Sequence, residues 1–349
     1  MTEPPPTMRC LLLLGLIAAA TARECGQEEL QEQNITGCVS FTHVKYMGHR
    51  AAVWLGNALH DNQHLETLDL HHAHVGDDDA VALGEGLRTN LLLHRLALHN
   101  NAIRDEGAEA MGRGIAENSA LRELQLSSNA IGNRGAIGLS AGLATNSVLR
   151  KLDLYFNAVH DEGAKAIGDA LGPHSGLRSL RLDTNEVGDA GALALAAALR
   201  RGAKLGEVTL LYNRVGNEGA DALIEAARAS TWVHRLRLEH NRRVWGETET
   251  RRDAFAAELR EREALATWLV ESGLAEWLGD DGPPLLSPYA AVVRELGAQR
   301  DEGLLALASL SEAQLRSHAA LAPLSSAQRE ALVAVLLSKA RALAAKDEL

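Results

Sequence analysis

Apolar residues recur along this chain with a fixed period. LETLDLHHAHV starts at Leu65, and the same L-x-x-L-x-L spacing returns in LHRLALHNNAI from Leu93 and LRELQLSSNAI from Leu121. LRKLDLYFNAV from Leu149, LRSLRLDTNEV from Leu177, LGEVTLLYNRV from Leu205 and VHRLRLEHNRR from Val233 complete the series, each start 28 residues after the last. Alternation with period two suits a short strand with one buried face. The intervening stretches, such as GAEAMGRGIAEN, carry apolar residues at helical spacing instead. Leu83, Met111, Leu139, Ile167, Leu195 and Leu223 share one repeat position, and Leu87, Ile115, Leu143, Leu171 and Leu199 share another four residues later. Positions four apart lie on one helix face. The pattern predicts stacked strand–helix units, an α/β chain.

The polar positions repeat as well. Asp77, Asp105, Asn133, Asp161, Asp189 and Asn217 stand before each helical stretch. All are favoured N-cap residues, and the acids that follow at Glu106, Glu162 and Glu218 suit the positive end of a helix dipole. Gly107, Gly135, Gly163, Gly191 and Gly219 come next, each followed by Ala, and small residues there predict close approach of helix to sheet. Between strand and helix lie Asn101, Asn129, Asn157, Asn185, Asn213 and Asn241. A buried amide there can satisfy backbone groups of neighbouring turns. The first unit has Ala73 instead, so such a ladder should begin one unit later.

LxxLxLxxN-x-(I/V) at this period, with a helical second half, resembles leucine-rich repeats of the ribonuclease-inhibitor-like subtype. The resemblance covers Leu65 to Arg243. It implies a curved solenoid, with a parallel sheet on the concave side and helices on the convex side. Stacking supplies the core that no single unit has. The repeats are placed at 65–244, after an N-terminal cap at 23–64. Trp54, Leu55 and Leu59 fit the helix of one degenerate extra unit, because Leu55 and Leu59 lie 28 residues before Leu83 and Leu87.

The ends read as addresses. RCLLLLGLIAAATA, from Arg9 to Ala22, has the basic, apolar and A-x-A parts of a secretory signal peptide, predicting a leader at 1–22 with cleavage after Ala22. Met8 is an alternative start. No other long apolar stretch occurs, so no membrane span is expected once the leader is removed. Lys346-Asp347-Glu348-Leu349 matches the KDEL retrieval signal, in a tail at 343–349. Together these predict the endoplasmic-reticulum lumen, with the KDEL receptor as one partner. In that oxidising compartment Cys25 and Cys38, the two cysteines left after cleavage, are expected to form a disulfide. Asn34-Ile35-Thr36 between them is a glycosylation sequon.

The period stops near Trp245. Residues 245–264 are charge-rich and read as a helical linker. From 265 to 342 several short helices end in a longer one, and Ser311 and Ser325 with Gln314 and Gln328 form capping-box patterns. Trp268-Leu269, Gly273-Leu274, Leu304-Leu305, Leu307 and the LSEAQL segment from Leu310 resemble a sterile alpha motif (SAM) domain, an all-α module. The GDDGPPLLSP insertion departs from that family. The resemblance implies a second contact surface, with self-association as its use.

Composition narrows the chemistry. Acidic residues outnumber basic ones, 46 to 35, for a net charge of −11, which argues against nucleic acid as a partner. Gly138-Leu139-Ser140-Ala141-Gly142 matches the nucleophile-elbow pattern, but that motif needs a strand-to-helix turn and Leu139 is a repeating core position. Half of the 14 histidines fall between His60 and His99. His71 and His99 share one strand position in adjacent units, so they are expected about 5 Å apart. A metal site or a pH-sensitive patch is conceivable there. No ligand spacing supports a metal, and a solvated polar face is the simpler reading. Asp77-Asp78-Asp79 is explained by helix capping. No Walker motif or dinucleotide fingerprint is present, so no cofactor, no metal and no enzymatic activity are expected.

The outward strand positions are the better candidates. Lys151, Asp153, Tyr155, Arg181, Asp183, Leu211, Arg237 and Glu239 occupy them, with Phe156 and Tyr212 at the strand edge. Exposed rings beside Arg and Asp resemble a protein-binding hot spot. The expectation is therefore a non-enzymatic interaction module that takes a protein partner on the concave face. By family analogy the alternatives are a regulatory inhibitor or activator of a partner enzyme, ribonuclease-inhibitor-like or GTPase-activator-like, or a sensor array related to innate-immune receptors.

Overall fold

The computed structural model describes residues 23–26, 28, 38–42, 44, 49–230, 232–241, 244–257, 259 and 333. The expected leader, Asn34, the SAM-like segment apart from Val333, and the KDEL tail lie outside the described residues. The chain divides into two compact units, Met1–Ala227 with Arg235–Arg252, and Arg228–His234 with Asp253–Leu349. In the second unit the Arg228 guanidinium lies 5.4 Å from the centroid of the Phe255 ring, which is buried.

The first unit is built on a parallel sheet of nine strands in sequence order. They are β1 (Arg23–Cys25), β2 (Cys38–Phe41), β3 (Thr67–Asp69), β4 (Arg95–Ala97), β5 (Glu123–Gln125), β6 (Lys151–Asp153), β7 (Ser179–Arg181), β8 (Glu207–Thr209) and β9 (Arg235–Arg237). The helices between them are α1 (His49–Asp61), α2 (Asp77–Leu87), α3 (Asp105–Glu117), α4 (Asn133–Thr145), α5 (Asp161–Ala170), α6 (Asp189–Arg200) and α7 (Asn217–Ala229). Cys25 and Cys38 are disulfide-bonded with their Cα atoms 5.7 Å apart, tying β1 to β2. The degenerate unit is real: β2 pairs with β3, and Leu55 and Leu59 of α1 are fully buried.

The Leu columns face inward. Leu68, Leu96, Leu124, Leu152, Leu180, Val208 and Leu236 pair in register across neighbouring strands. The helix positions Leu83, Met111, Leu139, Ile167, Leu195 and Leu223 are completely buried. Each such side chain contributes about 1.5–3 kcal/mol of burial. Among the described residues no helix is long and apolar enough to cross a membrane.

The asparagine column forms the expected ladder. Asn129 Nδ2 donates to the carbonyls of Leu98 (3.0 Å), Leu126 (3.1 Å) and Ser127 (3.3 Å), and its Oδ1 accepts from Ile103 N–H at 3.0 Å. One amide thus joins its own turn to the turn of the preceding unit. The ladder starts at Asn101, which reaches back to the Leu70 carbonyl and the Val75 N–H. Ala73, in the unit without the amide, is buried.

The Asp/Asn column at the helix starts acts differently from a local cap. Gly76, Arg104, Gly132, His160 and Gly188 are the N-cap residues of α2 to α6, and none makes a side-chain cap bond. Each Asp or Asn caps the helix of the next unit instead. Asp105 Oδ1 accepts from Gly132 N–H (2.7 Å) and Gly135 N–H (2.9 Å), and Asp161 does the same for Gly188 and Gly191. The glycine column serves this contact. A Cβ on Gly135 would stand 2.9 Å from that carboxylate oxygen and 2.9 Å from the Ala108 Cβ. The close approach is both to the neighbouring unit and to the turn of its own unit, where Ile131 Cγ2 would stand 2.8 Å from that Cβ.

A second amide row was not read from the sequence. Asn118 Nδ2 donates to the carbonyls of Leu87 and Asn90, while Oδ1 accepts from Ala120 and Leu121 N–H. Asn146 repeats this against Ile115 and Asn118. The row lapses at His174 and Gly202, where the Arg201 guanidinium takes the Gly168 and Leu171 carbonyls. The capping column ends at Asn217, which accepts from Trp245 N–H, and residues 247–257 are helical, with Thr248 bonded to Asp221.

Removing a ladder amide leaves several buried backbone groups unpaired, whereas removing a cap leaves two. Asn157→Ala should therefore lower unfolding free energy by about 3 kcal/mol, and Asp161→Ala by about 1 kcal/mol. Urea unfolding followed by circular dichroism measures both. The reverse order of severity would show that the ladder is not the dominant bond between units.

Candidate functional site

The fold sorts the outward strand residues into rows. The register places Gln125, Asp153, Arg181, Thr209 and Arg237 side by side, and Glu123, Lys151, Ser179, Glu207 and Arg235 in the row below. Neighbouring members are separated by the strand spacing, about 4.8 Å. Together they line a shallow depression of about 430 Å³ on the sheet face opposite the helices.

Most of its charges are paired along the rows. Arg181 Nη1 lies 2.9 Å from Asp153 Oδ2, and its Nε lies 3.7 Å from Asp183 Oδ2. Ser179 Oγ donates to Glu207 Oε2 (2.8 Å), and Arg235 lies 3.3 Å from Glu207 Oε1. Arg237 Nε donates to both Glu239 oxygens. Lys151 is exposed and makes no ion pair among the described residues. Such surface pairs are each worth little, about 0–1 kcal/mol, so their main effect is to fix side-chain positions.

Asp153 is the perturbed carboxylate. Burial pushes its carboxyl above the ordinary value, and the Tyr155 N–H and the Arg181 guanidinium only partly offset this. Keeping it ionised costs the fold stability at neutral pH. Asp183 is buried rather than displayed. Thr209 Oγ1 donates to its Oδ2 at 2.7 Å and Leu211 N–H to its Oδ1 at 2.8 Å, so it braces the strands and is closed to a partner. Leu211 is half-buried.

The rings do not all sit together. Tyr155 and Phe156 are neighbours, with centroids 6.0 Å apart, and the Arg181 guanidinium lies 5.8 Å from the Tyr155 ring centre. Tyr212 is two units further on, beyond Thr184, and stacks on His240 at 4.4 Å instead. The period explains this, since positions 156 and 212 differ by two repeats. All three rings are exposed: Tyr155 38%, Phe156 55% and Tyr212 57%.

Phe156 and Tyr212 also hold left-handed backbone, with φ of 53° and 54°. His72, Asn100, Ser128, Thr184 and His240 share that conformation at the same repeat position. Asn tolerates it, whereas a bulky residue there is strained. The turn conformation and the role of His240 were not visible in the sequence. The only signal was the 28-residue recurrence of these positions.

The other candidates resolve into internal roles. Ser140 is buried in α4 and its hydroxyl donates to the Ile137 carbonyl, so it is no nucleophile elbow. Asp77 caps α3 through Arg104 and Gly107 N–H, and Asp79 accepts from Gly76 N–H. No group of three metal-ligating side chains occurs among the described residues.

The strain at the two aromatic turns predicts a stability gain on their removal. Phe156→Asn and Tyr212→Asn should each raise unfolding free energy by about 0.5–1 kcal/mol, as read by chemical denaturation. A net loss instead would mean that the rings are held by packing.

Comparison with known proteins agrees with the repeat geometry. A family model described as Leucine Rich repeat matches residues 61–84, 89–112, 117–140, 145–168 and 177–196. No curated protein sequence matches the chain. Among solved structures, "Leiomodin-1 Actin-Binding Site 2 (ABS2)" is 20% identical with a TM-score of 0.34, over 41% of this chain and 83% of that one. The "Crystal structure of a TDR receptor" is 14% identical with a TM-score of 0.38, over 62% of this chain. The match spans 33% of that receptor chain. The matched segments coincide with the ladder-bonded strand–helix units, and the chain carries leucine-rich repeats.

Proposed function

We propose that the repeat array is a non-enzymatic docking module of the ribonuclease-inhibitor-like subtype, which binds a protein partner on the sheet face. The observation that carries this reading is that two kinds of stability cost recur among the displayed residues of the array. Phe156 and Tyr212 keep bulky rings in a left-handed turn and expose them to water. Asp153, two residues before Tyr155, is held as a poorly solvated carboxylate beside Arg181. Folding alone is better served by Asn at the turn, as at Asn100, so the rings are retained for contact. Exposed aromatics beside Arg form the centre of many protein interfaces. Repeat arrays offer extended surfaces of this kind.

The array works in the lumen of the endoplasmic reticulum, delivered by the leader at 1–22 and returned by binding of Lys346, Asp347, Glu348 and Leu349 to the KDEL receptor. The Cys25–Cys38 bridge supports an oxidising compartment. The SAM-like segment at 265–342 supplies self-association.

Pull-down with the full chain tests the docking patch. Tyr155, Phe156 and Tyr212 changed together to Ala should lose the captured partner, while Arg113→Ala on a helix keeps it. Equal capture by both variants removes the patch from the mechanism. A tagged chain lacking the last four residues should appear in the medium, and the intact chain should stay inside the cell. Retention of both would refute the retrieval reading.

A further inference from the structure

The histidine pair at the other end of the sheet face takes no part in the docking patch. Strands β3 and β4 are in register, with Asp69 opposite Ala97, so residues two further along each strand are neighbours. These are His71 and His99. Their rings are parallel within 2°, with centroids 4.9 Å apart. His72 meets His71 edge-on at 5.6 Å.

The two rings differ in their support. His71 Nδ1 shares a hydrogen bond of 2.7 Å with Asp69 Oδ1, and its ring is partly open to solvent. A charge on His71 therefore has a counterion. His99 Nδ1 is buried and has no hydrogen-bond partner among the described residues. A charge on His99 has neither a direct counterion nor good solvation, and it would face a second imidazole across the stack. Two parallel imidazolium rings at this separation repel, and the low local dielectric strengthens that repulsion.

We infer that the His71–His99 stack is a proton-operated contact on the sheet face, closed while His99 is neutral and opened when both rings are charged. Asp69 stands 2.7 Å from His71 Nδ1, so a charge on that ring is met by a carboxylate. A second proton must enter His99 and drives the rings apart. The net effect on His99 is downward. Burial pushes its imidazole below the ordinary value, and His71 and His72 push it further down. Asp69 on β3 and, at longer range, Asp153 on β6 pull it up without reversing the result. On the β5 side the adjoining residues are Gln125 and Ser127, which do not titrate in this range. Opening the stack puts positive charge at one end of the face that carries the aromatic patch.

The sign of the pH dependence follows. A group with a depressed folded value binds fewer protons in the folded than in the unfolded chain. Its contribution is full above the unfolded imidazole value of about 6.5, and is lost as pH falls through the folded value.

Histidine NMR of the full chain between pH 8 and 5 tests the contact, with His71→Asn and His99→Asn supplying assignments and exposed His64 as internal reference. His99 should titrate below His64, and His71→Asn should raise the His99 titration point by removing the facing cation. Thermal midpoints should fall on acidification below about pH 6.5 in the wild type, and fall less in His99→Asn. A His99 ring that titrates with His64, or one indifferent to His71→Asn, overturns the inference. The His99 resonance can also be assigned by backbone-directed experiments on the wild-type chain, so the NMR arm stands even if His99→Asn folds poorly. Because neither arm involves a partner, failure here is distinct from failure of the docking patch.

Discussion

The structure depends on side-chain hydrogen bonds that cross from one unit to the next. A short strand and an amphipathic helix leave a turn between them whose carbonyls and N–H groups have no partners of their own. In this chain a buried amide fills that need and reaches into the preceding turn at the same time. Asn185 binds the Leu154 carbonyl of the previous unit and the Leu182 carbonyl of its own. The Val159 N–H closes the loop on its Oδ1. The carboxylate column adds the second link, from each helix start to the next. Asp189 Oδ1 holds Gly216 and Gly219 N–H, both at 2.8 Å. No unit is complete without its neighbour, which is why the strands stack in sequence order.

The displayed sheet face is a by-product of that constraint. A strict period keeps every outward side chain in line with its counterparts, so chemistry on the sheet face comes in rows. Arg181 finds Asp153 and Asp183 because the register puts them there. The same register aligns His71 with His99 and leaves Lys151 without an ion pair among the described residues. Phe156 and Tyr212 are row positions that depart from what the left-handed turn prefers, and the proposed docking role rests on that departure.

Much of this was legible beforehand. The Leu columns, the strand–helix alternation, the amide ladder and its late start at Asn101 all follow from spacing, because each depends on a period that letters display. The pairing of His71 and His99 was legible for the same reason. The helix-start column acts otherwise than its local spacing suggests. Asp105 looks like a local cap, since nothing in the local sequence distinguishes a carboxylate that caps its own helix from one that caps the next. The second amide row, Asn90, Asn118 and Asn146, was overlooked although it shares the period, because its lapse at His174 and Gly202 hides it.

Spacing along the chain sets the periodic architecture: which residues are buried, where strands and helices alternate, and which side chains share a row. Those are consequences of hydrophobic spacing, and spacing is a property of the chain. Which of the displayed groups are open to a partner is set by the three-dimensional packing. Asp183 is hidden by Thr209 and Leu211, and Tyr212 is paired with His240 instead of with Tyr155. Those outcomes turn on side-chain directions and backbone angles between neighbouring units, which a one-dimensional pattern does not contain.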